Sequence, residues 1–174
     1  METTDREIQV RAIAGDDEAF LALMQLYKED LLRTALAFLR NEHDALEALQ
    51  EVTYRAYKKI HTVKNPAFVK TWLIRIMMNY CQDQLKNNKR FTSDNAGIYA
   101  AGKEDVSHLE MQEALAGLSN EEQQLIYLKY FQEVKIKDIA QLENIPEGTV
   151  KSRLHKILRT LRSYFEEKGG TGHV

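Results

Sequence analysis

Between Lys151 and Arg162 the chain carries five Lys or Arg residues and no acid, with Ser152 and His155 interleaved and Thr149 just before them. Fixed cations alternating with small hydroxyl and imidazole donors suit one kind of chemistry. They make charge-assisted hydrogen bonds to phosphate oxygens and directed hydrogen bonds to base edges. A second group lies further upstream, where Lys64, Asn65, Asn79, Asp83, Lys86 and Lys89 mix cations and amides with the aromatic and apolar residues Phe68, Trp72 and Tyr80. That mixture suits unstacked bases. A third is acidic: Asp44, Glu47 and Glu51 recur with Gln50 at helical spacing. Bond-making chemistry has no comparable support. The sequence has no Gly-rich phosphate loop, no nucleophile elbow and no cluster of metal ligands, so neither an enzyme nor a cofactor is expected.

The elements that must position these groups are all helical. Stepping about 100° per residue from Val150, the residues Leu154, Ile157, Leu158, Leu161 and Phe165 share an arc of roughly 100°. Lys151, Ser152, His155, Lys156, Arg159 and Arg162 occupy the rest of the circumference. Pro146 suits the start of this helix, where a missing N–H costs nothing. Gly148 and Ser152 keep its entering end slim, and Thr149 and Ser152 can donate to phosphate near a helix N-terminus. A short helix is expected before it, from about Lys135 to Leu142, packing Ile136, Ile139, Ala140 and Leu142, with a turn at Glu143-Asn144-Ile145. Short helix, tight turn and basic helix is the order of a helix-turn-helix. A basic amphipathic helix alone would also fit a solvated face, a membrane surface or a calmodulin-type target. The helical pair and the acid-free run favour the DNA reading.

Upstream, Asp16 and Asp17 predict the start of a helix carrying Phe20, Leu23, Met24 and Tyr27, with a further helix from Asp30 to about Leu39. Asn41 to Asp44 opens another, to about Ile60, whose buried stripe is Ala45, Ala48, Leu49, Val52 and Ala56. His61 to Pro66 reads as a loop, because a residue before proline avoids helix. A long helix follows from about Ala67 to Asn87, with a break expected near Trp72. Trp72, Leu73, Ile76 and Met77 read as core. Asn79, Gln82, Asp83, Lys86 and Lys89 read as the opposite, nucleic-acid-facing side.

Composition bounds the rest. The chain has 174 residues, 44% of them hydrophobic, with two prolines and eight glycines, which fits helical and not β-rich or disordered architecture. The formal net charge is −2, but it is unevenly spread. Residues 1–30 hold eight acids against three Lys/Arg, and residues 64–90 hold six Lys/Arg against one acid. The single cysteine, Cys81, excludes an intrachain disulfide and suits a reducing compartment. The polar N-terminus and the lack of long apolar runs predict no membrane insertion and a cytoplasmic location. Residues 91–108 show no apolar period and read as a flexible linker. The expected fold is therefore all-α: a helical domain over 5–90, and a helix-turn-helix domain over 109–168 with a frayed tail from Gly169. A free linker of about 18 residues averages roughly 20–25 Å end to end, so the domains can engage DNA sites two turns apart.

With these segments in view, the chain resembles the bacterial sigma-70 superfamily, and more narrowly its extracytoplasmic-function (ECF) type. The residues that carry the resemblance are Gln50-Glu51-Val52 with Arg55-Ala56-Tyr57; Thr71-Trp72-Leu73 with Arg75-Ile76, Asn79 and Asp83; Leu118; and Gly148 through Leu154. The resemblance implies a factor that directs promoter-specific initiation by core RNA polymerase. It implies that Asp44, Glu47, Gln50 and Glu51 dock on the coiled coil of the β′ subunit. Lys64 and Asn65 would then belong to a loop that pockets a flipped −10 base, with Asn79, Asp83, Lys86 and Lys89 in the −10 reading helix. Thr149, Lys151, Ser152, Arg153, His155, Lys156 and Arg159 would read the −35 element, and Leu118 to Phe131 would seat that domain on the β-subunit flap. An anti-sigma factor is an implied partner. The loop Thr62-Val63-Lys64-Asn65-Pro66 is similar to the sigma-V subgroup of Bacillus-type bacteria, which implies cell-envelope stress and an anti-sigma factor held at the membrane. Two departures stand out. Asp44-Ala45-Leu46-Glu47-Ala48 lacks one acid that such proteins usually carry there, and Lys86-Asn87-Asn88-Lys89-Arg90 is less arginine-rich than many relatives.

Two other readings keep the same residues. One is a stand-alone regulator with a LuxR-like C-terminal helix-turn-helix, although the strand–helix alternation of a receiver domain is absent. The other is a helical interaction scaffold working through its acidic faces.

Overall fold

In the computed structural model the described residues are 4–91 and 113–170, side chains excepted at 89–91 and 168–170. They form helices and turns, with no strand among the described residues. They fall into two compact units on either side of residues 92–112. The expected linker, apart from Phe91 in the last turn of a helix, and the expected start of the second domain lie outside the described residues.

Among the described residues the first unit has four α-helices: α1 (Asp5–Ile13), α2 (Asp17–Leu39), α3 (Glu42–Lys59) and α4 (Val69–Phe91). Each of the first three starts on a side-chain cap. Thr4 accepts from the Glu7 N–H, Asp16 from Ala19 and Asn41 from Asp44, which satisfies amides that have no partner within the helix. Gly15 sits at φ 102° between α1 and α2, a conformation that disfavours any side chain. The sequence places a helix boundary at Asp30, but α2 runs through it. The Asp30 carboxylate turns sideways to Lys70, and the Thr34 hydroxyl donates to the Asp30 carbonyl within the helix. Likewise α4 passes Trp72 without a break, since nothing in that turn removes a backbone donor or demands an unusual φ. Leu23 and Leu31 of α2, Ala45, Ala48, Val52 and Ala56 of α3, and Val69, Leu73, Met77, Met78 and Cys81 of α4 are fully buried. The alanines of α3 let it approach its neighbours closely. Each fully buried large side chain contributes about 1.5–3 kcal/mol.

Between α3 and α4 the chain makes two 3-10 turns, Ile60–Thr62 and Pro66–Phe68. Val63 N–H donates to the Ile60 carbonyl at 3.1 Å and Phe68 N–H to Asn65 at 3.0 Å. Asn65 Oδ1 accepts from the Ala67 N–H at 3.0 Å. The expected loop is thus a compact, internally bonded segment. Both turns pack on α1.

The second unit opens, among the described residues, with a helical turn at 113–116. Ser119 then forms a full capping box with Glu122 and starts α5 (Asn120–Ile126). The helix widens into a π turn over Tyr127–Phe131. Glu133 adopts φ 53°, and Val134 N–H closes back on Leu128 at 2.9 Å. Next come α6 (Ile136–Glu143), ended by Asn144 in the left-handed region at φ 56°, and α7 (Glu147–Gly170). Asparagine tolerates that conformation and makes a tight stop. α7 includes Gly169 and Gly170, so the expected fraying does not begin at Gly169. Among the described residues the core of this unit includes Leu118, Leu125, Ile126, Tyr127, Leu128, Ile139, Ala140, Val150, Leu154 and Ile157.

Candidate nucleic-acid interface

The α6–α7 pair sets the first surface. Asn144 turns the chain, Ile145 N–H donates to the Ala140 carbonyl at 3.0 Å, and the Thr149 and Val150 amides donate to the Pro146 carbonyl at 3.0 and 3.3 Å. Val150, Leu154 and Ile157 pack inward, while Leu161 and Phe165 are half-buried. Leu158 lies on the edge of the apolar arc and is 39% exposed, so the stripe is narrower than the sequence suggests. Lys151, Ser152, Arg153, His155, Lys156 and Arg159 are all exposed, and Thr149 in the first turn is half-buried. Arg153 differs from the other cations. Its guanidinium lies 3.8 Å from the Glu143 carboxylate and ties the end of α6 to the second turn of α7. Among the described residues, Lys151, Lys156, Arg159 and Arg162 make no ion pair.

The second surface is α4 with the segment before it. Asn79, Asp83 and Lys86 are exposed and recur at helical spacing along one face. Lys64 is exposed and Asn65 half-buried, its side-chain oxygen committed to Ala67. Lys89 stands in the last turn, where side chains are outside the described residues. Gln82 is a correction: it is 5% exposed and belongs to the core side. It follows Met78 by four residues and Cys81 by one, so helical geometry puts it on the buried stripe despite its polarity. Trp72 and Ile76 are half-exposed, unlike the fully buried Leu73 and Met77, so only part of the expected core set is core. Cys81 is shut in the interior, and burial pushes its thiol up to about 12, which keeps it protonated and inert near neutral pH.

The third surface is the polar face of α3. Glu47 and Gln50 are exposed, and Asp44 and Glu51 half-buried. His43 Nε2 stands 3.1 Å from Glu47, and Arg55 donates to Glu51 at 3.1 Å. Arg55 also lies over the Tyr80 ring, 5.1 Å from its centroid, which connects α3 to α4. Burial, reinforced by the nearby Glu51 carboxylate, raises the Tyr80 phenol. Tyr80's part in this face is not visible in the sequence, because the pairing spans the α3–α4 contact and no local spacing encodes it. The Tyr57 contact with α2 is likewise non-local, whereas Tyr54 meets Lys58 one turn on within α3; both tyrosines remain about half exposed. Lys58 sits 4.4 Å from the Tyr54 ring centroid, and the Tyr57 hydroxyl donates to Asp17 at 2.9 Å.

No group of three or more metal-ligating side chains occurs among the described residues, and no helix there is long and apolar enough to cross a membrane.

Comparison with known proteins identifies the family. The family described as sigma-70 region 2 matches residues 23–91, and sigma-70 region 4 matches 108–161. The chain is 30% identical over 140 residues to the RNA polymerase sigma factor SigV of Bacillus subtilis, covering 78% of this chain and 84% of that one. It is 30% identical over 172 residues to the ECF RNA polymerase sigma factor SigW of the same organism, covering 88% and 92%. Among solved structures, CnrH in complex with the cytosolic domain of CnrY superposes with a TM-score of 0.63 at 20% identity, covering 94% of this chain and 97% of that one. RpoE in complex with the anti-sigma factor NepR from Bartonella quintana gives 0.58 at 21%, covering 84% and 96%. At those identities the structures establish the fold, while the sequence relatives and the two region matches establish the family. The chain belongs to the sigma-70 family of RNA polymerase sigma factors, in its extracytoplasmic-function group.

Proposed function

We propose that the protein binds core RNA polymerase through the polar face of α3, reads duplex −35 DNA with α7, and captures unpaired −10 bases with α4 and the 61–66 segment. The observation that carries this is the exposed face of α7. Its cations and small donors point outward along one helix, while Val150, Leu154 and Ile157 hold the opposite face on the rest of the second unit. Thr149, Lys151, Ser152, His155, Lys156 and Arg159 are the −35 set, and Arg153 serves both DNA and the α6–α7 junction. Asn79, Asp83 and Lys86, with Lys64, Asn65 and Lys89, are the −10 set. Asp44, Glu47, Gln50 and Glu51 dock on the β′ coiled coil, and the Leu118–Phe131 region seats the second unit on the β flap.

No bond is made or broken by the protein itself. Binding the flipped, single-stranded state more tightly than duplex shifts the DNA towards the open form by that difference in affinity. Working with polymerase would place the protein in the cytoplasm, and an anti-sigma factor that covers these surfaces would hold it inactive there or at the membrane. Run-off transcription with sigma-free core polymerase and promoter fragments from the protein's own genome tests the proposal. Specific transcripts that require both proteins are expected. Tight binding of the protein alone to duplex DNA, without core-dependent transcripts, would overturn it.

A further inference from the structure

The hydrogen bonds inside the 60–68 segment are all local. Thr62 Oγ1 donates to Lys59 at 2.6 Å, Val63 N–H to Ile60, Ala67 N–H to Asn65 Oδ1 and Phe68 N–H to the Asn65 carbonyl. They span three residues or fewer, so they fix the segment's internal shape but not where it sits. Its placement has to come from elsewhere.

Two devices supply it. The first is α1, which lies under both 3-10 turns and so forms a floor beneath the segment. The second is a chain of polar contacts centred on Tyr27, a residue only 8% exposed. Gln9 of α1 donates from Nε2 to the Tyr27 hydroxyl at 2.8 Å. The Lys70 ammonium lies 5.8 Å from the Tyr27 ring centroid and 3.1 Å from Asp30 Oδ2. Lys70 is the second residue of α4, two positions beyond Phe68, and its neighbour Val69 is fully buried. One tyrosine of α2 therefore links α1 on one side to the first turn of α4 on the other. The ring face attracts the ammonium while the hydroxyl accepts the amide, and the two interactions do not compete for the same atoms.

We infer that α1 and the Gln9–Tyr27–Lys70–Asp30 chain are positioning elements for base capture: they set the height and angle of the 61–66 segment relative to the Asn79–Lys86 face of α4. This rests on the proposal that the segment receives a flipped −10 base. None of the four residues belongs to the proposed base-contacting set. A pocket for a flipped base discriminates only if its walls hold their spacing, so loosening the frame costs selectivity before it costs affinity.

The test uses holoenzyme reconstituted from core polymerase and the full chain, with run-off transcription on a promoter set carrying single substitutions across the −10 and −35 elements. Tyr27→Phe removes the acceptor for Gln9 and keeps the ring. Lys70→Met removes the charge and keeps the stem, and Lys70→Arg keeps both the charge and much of the reach. Gln9→Ala provides a variant outside the core should the others fold poorly. Tyr27→Phe, Lys70→Met and Gln9→Ala are each expected to reduce discrimination at one −10 position by about 3- to 10-fold, the scale of a single hydrogen bond. Discrimination at −35 and affinity for core should stay at the starting values, and Lys70→Arg should restore most of the loss. A uniform fall in transcription on every promoter, with no change in −10 selectivity, would show a structural role only and overturn the inference. Lys64→Ala and Asn65→Ala run alongside. If these leave −10 selectivity intact while the chain still initiates transcription, the segment is not the pocket, and the inference falls with that reading and not through a fault in the frame.

Discussion

α7 and α4 each present a long polar face, but they are built on opposite plans. On α7, Lys151, Lys156, Arg159 and Arg162 stand in solvent, and among the described residues only Arg153 of its cations is held by a carboxylate. On α4 and its neighbour α3, charges of both signs are interleaved and two of the cations are tied down: Arg55 between Glu51 and the Tyr80 ring, and Lys70 between Asp30 and the Tyr27 ring, while Asp83 and Lys86 alternate in sign on an exposed face. Loose, same-sign charge suits a duplex, whose phosphates present a regular field that tolerates small shifts in position. Fixed, mixed polarity suits single bases, which offer little charge and reward exact donors and acceptors. On the proposed function, α7 would work by field and α4 by geometry.

The strongest way to break this contrast is to remove the supports. Leu128→Ala in the second unit and Leu31→Ala in the first delete side chains with at most 1% exposure, and each should cost about 2–5 kcal/mol of its unit's stability. Thermal unfolding with limited proteolysis checks this. The first variant should abolish −35 use, and the second −10 use and core binding.

A finer test compares the faces directly. Lys156→Ala should weaken DNA binding across all sequences and reduce the slope of log affinity against log salt by about one unit. Asn79→Ala should leave that slope unchanged and cost about 1–3 kcal/mol at one −10 position. His155→Ala is expected to behave like Asn79→Ala, at a −35 position. Titrations at several salt concentrations on matched promoter fragments separate the two patterns. If Asn79→Ala changes the salt slope and Lys156→Ala does not, the contrast is reversed.

Helix caps give a smaller effect. Ser119→Ala loses one side of the capping box with Glu122, and Asn41→Ala removes the acceptor for Asp44 N–H; each should cost about 1 kcal/mol, read as a lower melting temperature.

The smallest effect is pH-dependent. Arg11 and the Ala19 N–H hold the Asp16 carboxyl below its ordinary value of 3.8. A depressed folded pKa means that the charged form adds stability above the unfolded value, and that this is lost as pH falls through the folded one. Asp16→Asn should therefore lower the melting temperature slightly at neutral pH, and the difference from the parent chain should disappear as pH falls below the ordinary value of 3.8 and through the lowered folded one. Because Asp16 is well solvated, salt should shrink the difference further.

The same division explains what could be read from the sequence. The starts of α2 and α3, the Glu143–Ile145 turn and the outward set on α7 were legible, because caps and single-helix periodicity are local. The continuity of α2 was not: Glu29-Asp30 reads as a new start unless it is known that Lys70, forty residues on, takes the Asp30 carboxylate. Gln82 misled for a related reason, since its polarity hid a position fixed by Met78 and Cys81 on the buried face. The proposed −35 face lies on one helix, and its outward residues could be listed from spacing alone. The framework of the proposed −10 and core-binding faces includes pairs such as Arg55–Tyr80 and Gln9–Tyr27, which exist only after the helices have packed.

The burial of Cys81 gives the molecule a built-in clock. The chain has one thiol, it lies in the first unit and it is fully enclosed, so a thiol-specific label can reach it only when α4 lifts from α2 and α3. Labelling kinetics then report the opening rate of that unit alone, with no substitution introduced. When opening is fast compared with labelling, the rate gives the free energy of that opening. Adding core polymerase or promoter DNA and timing the same reaction would measure how far each partner restrains the first unit during the steps of initiation.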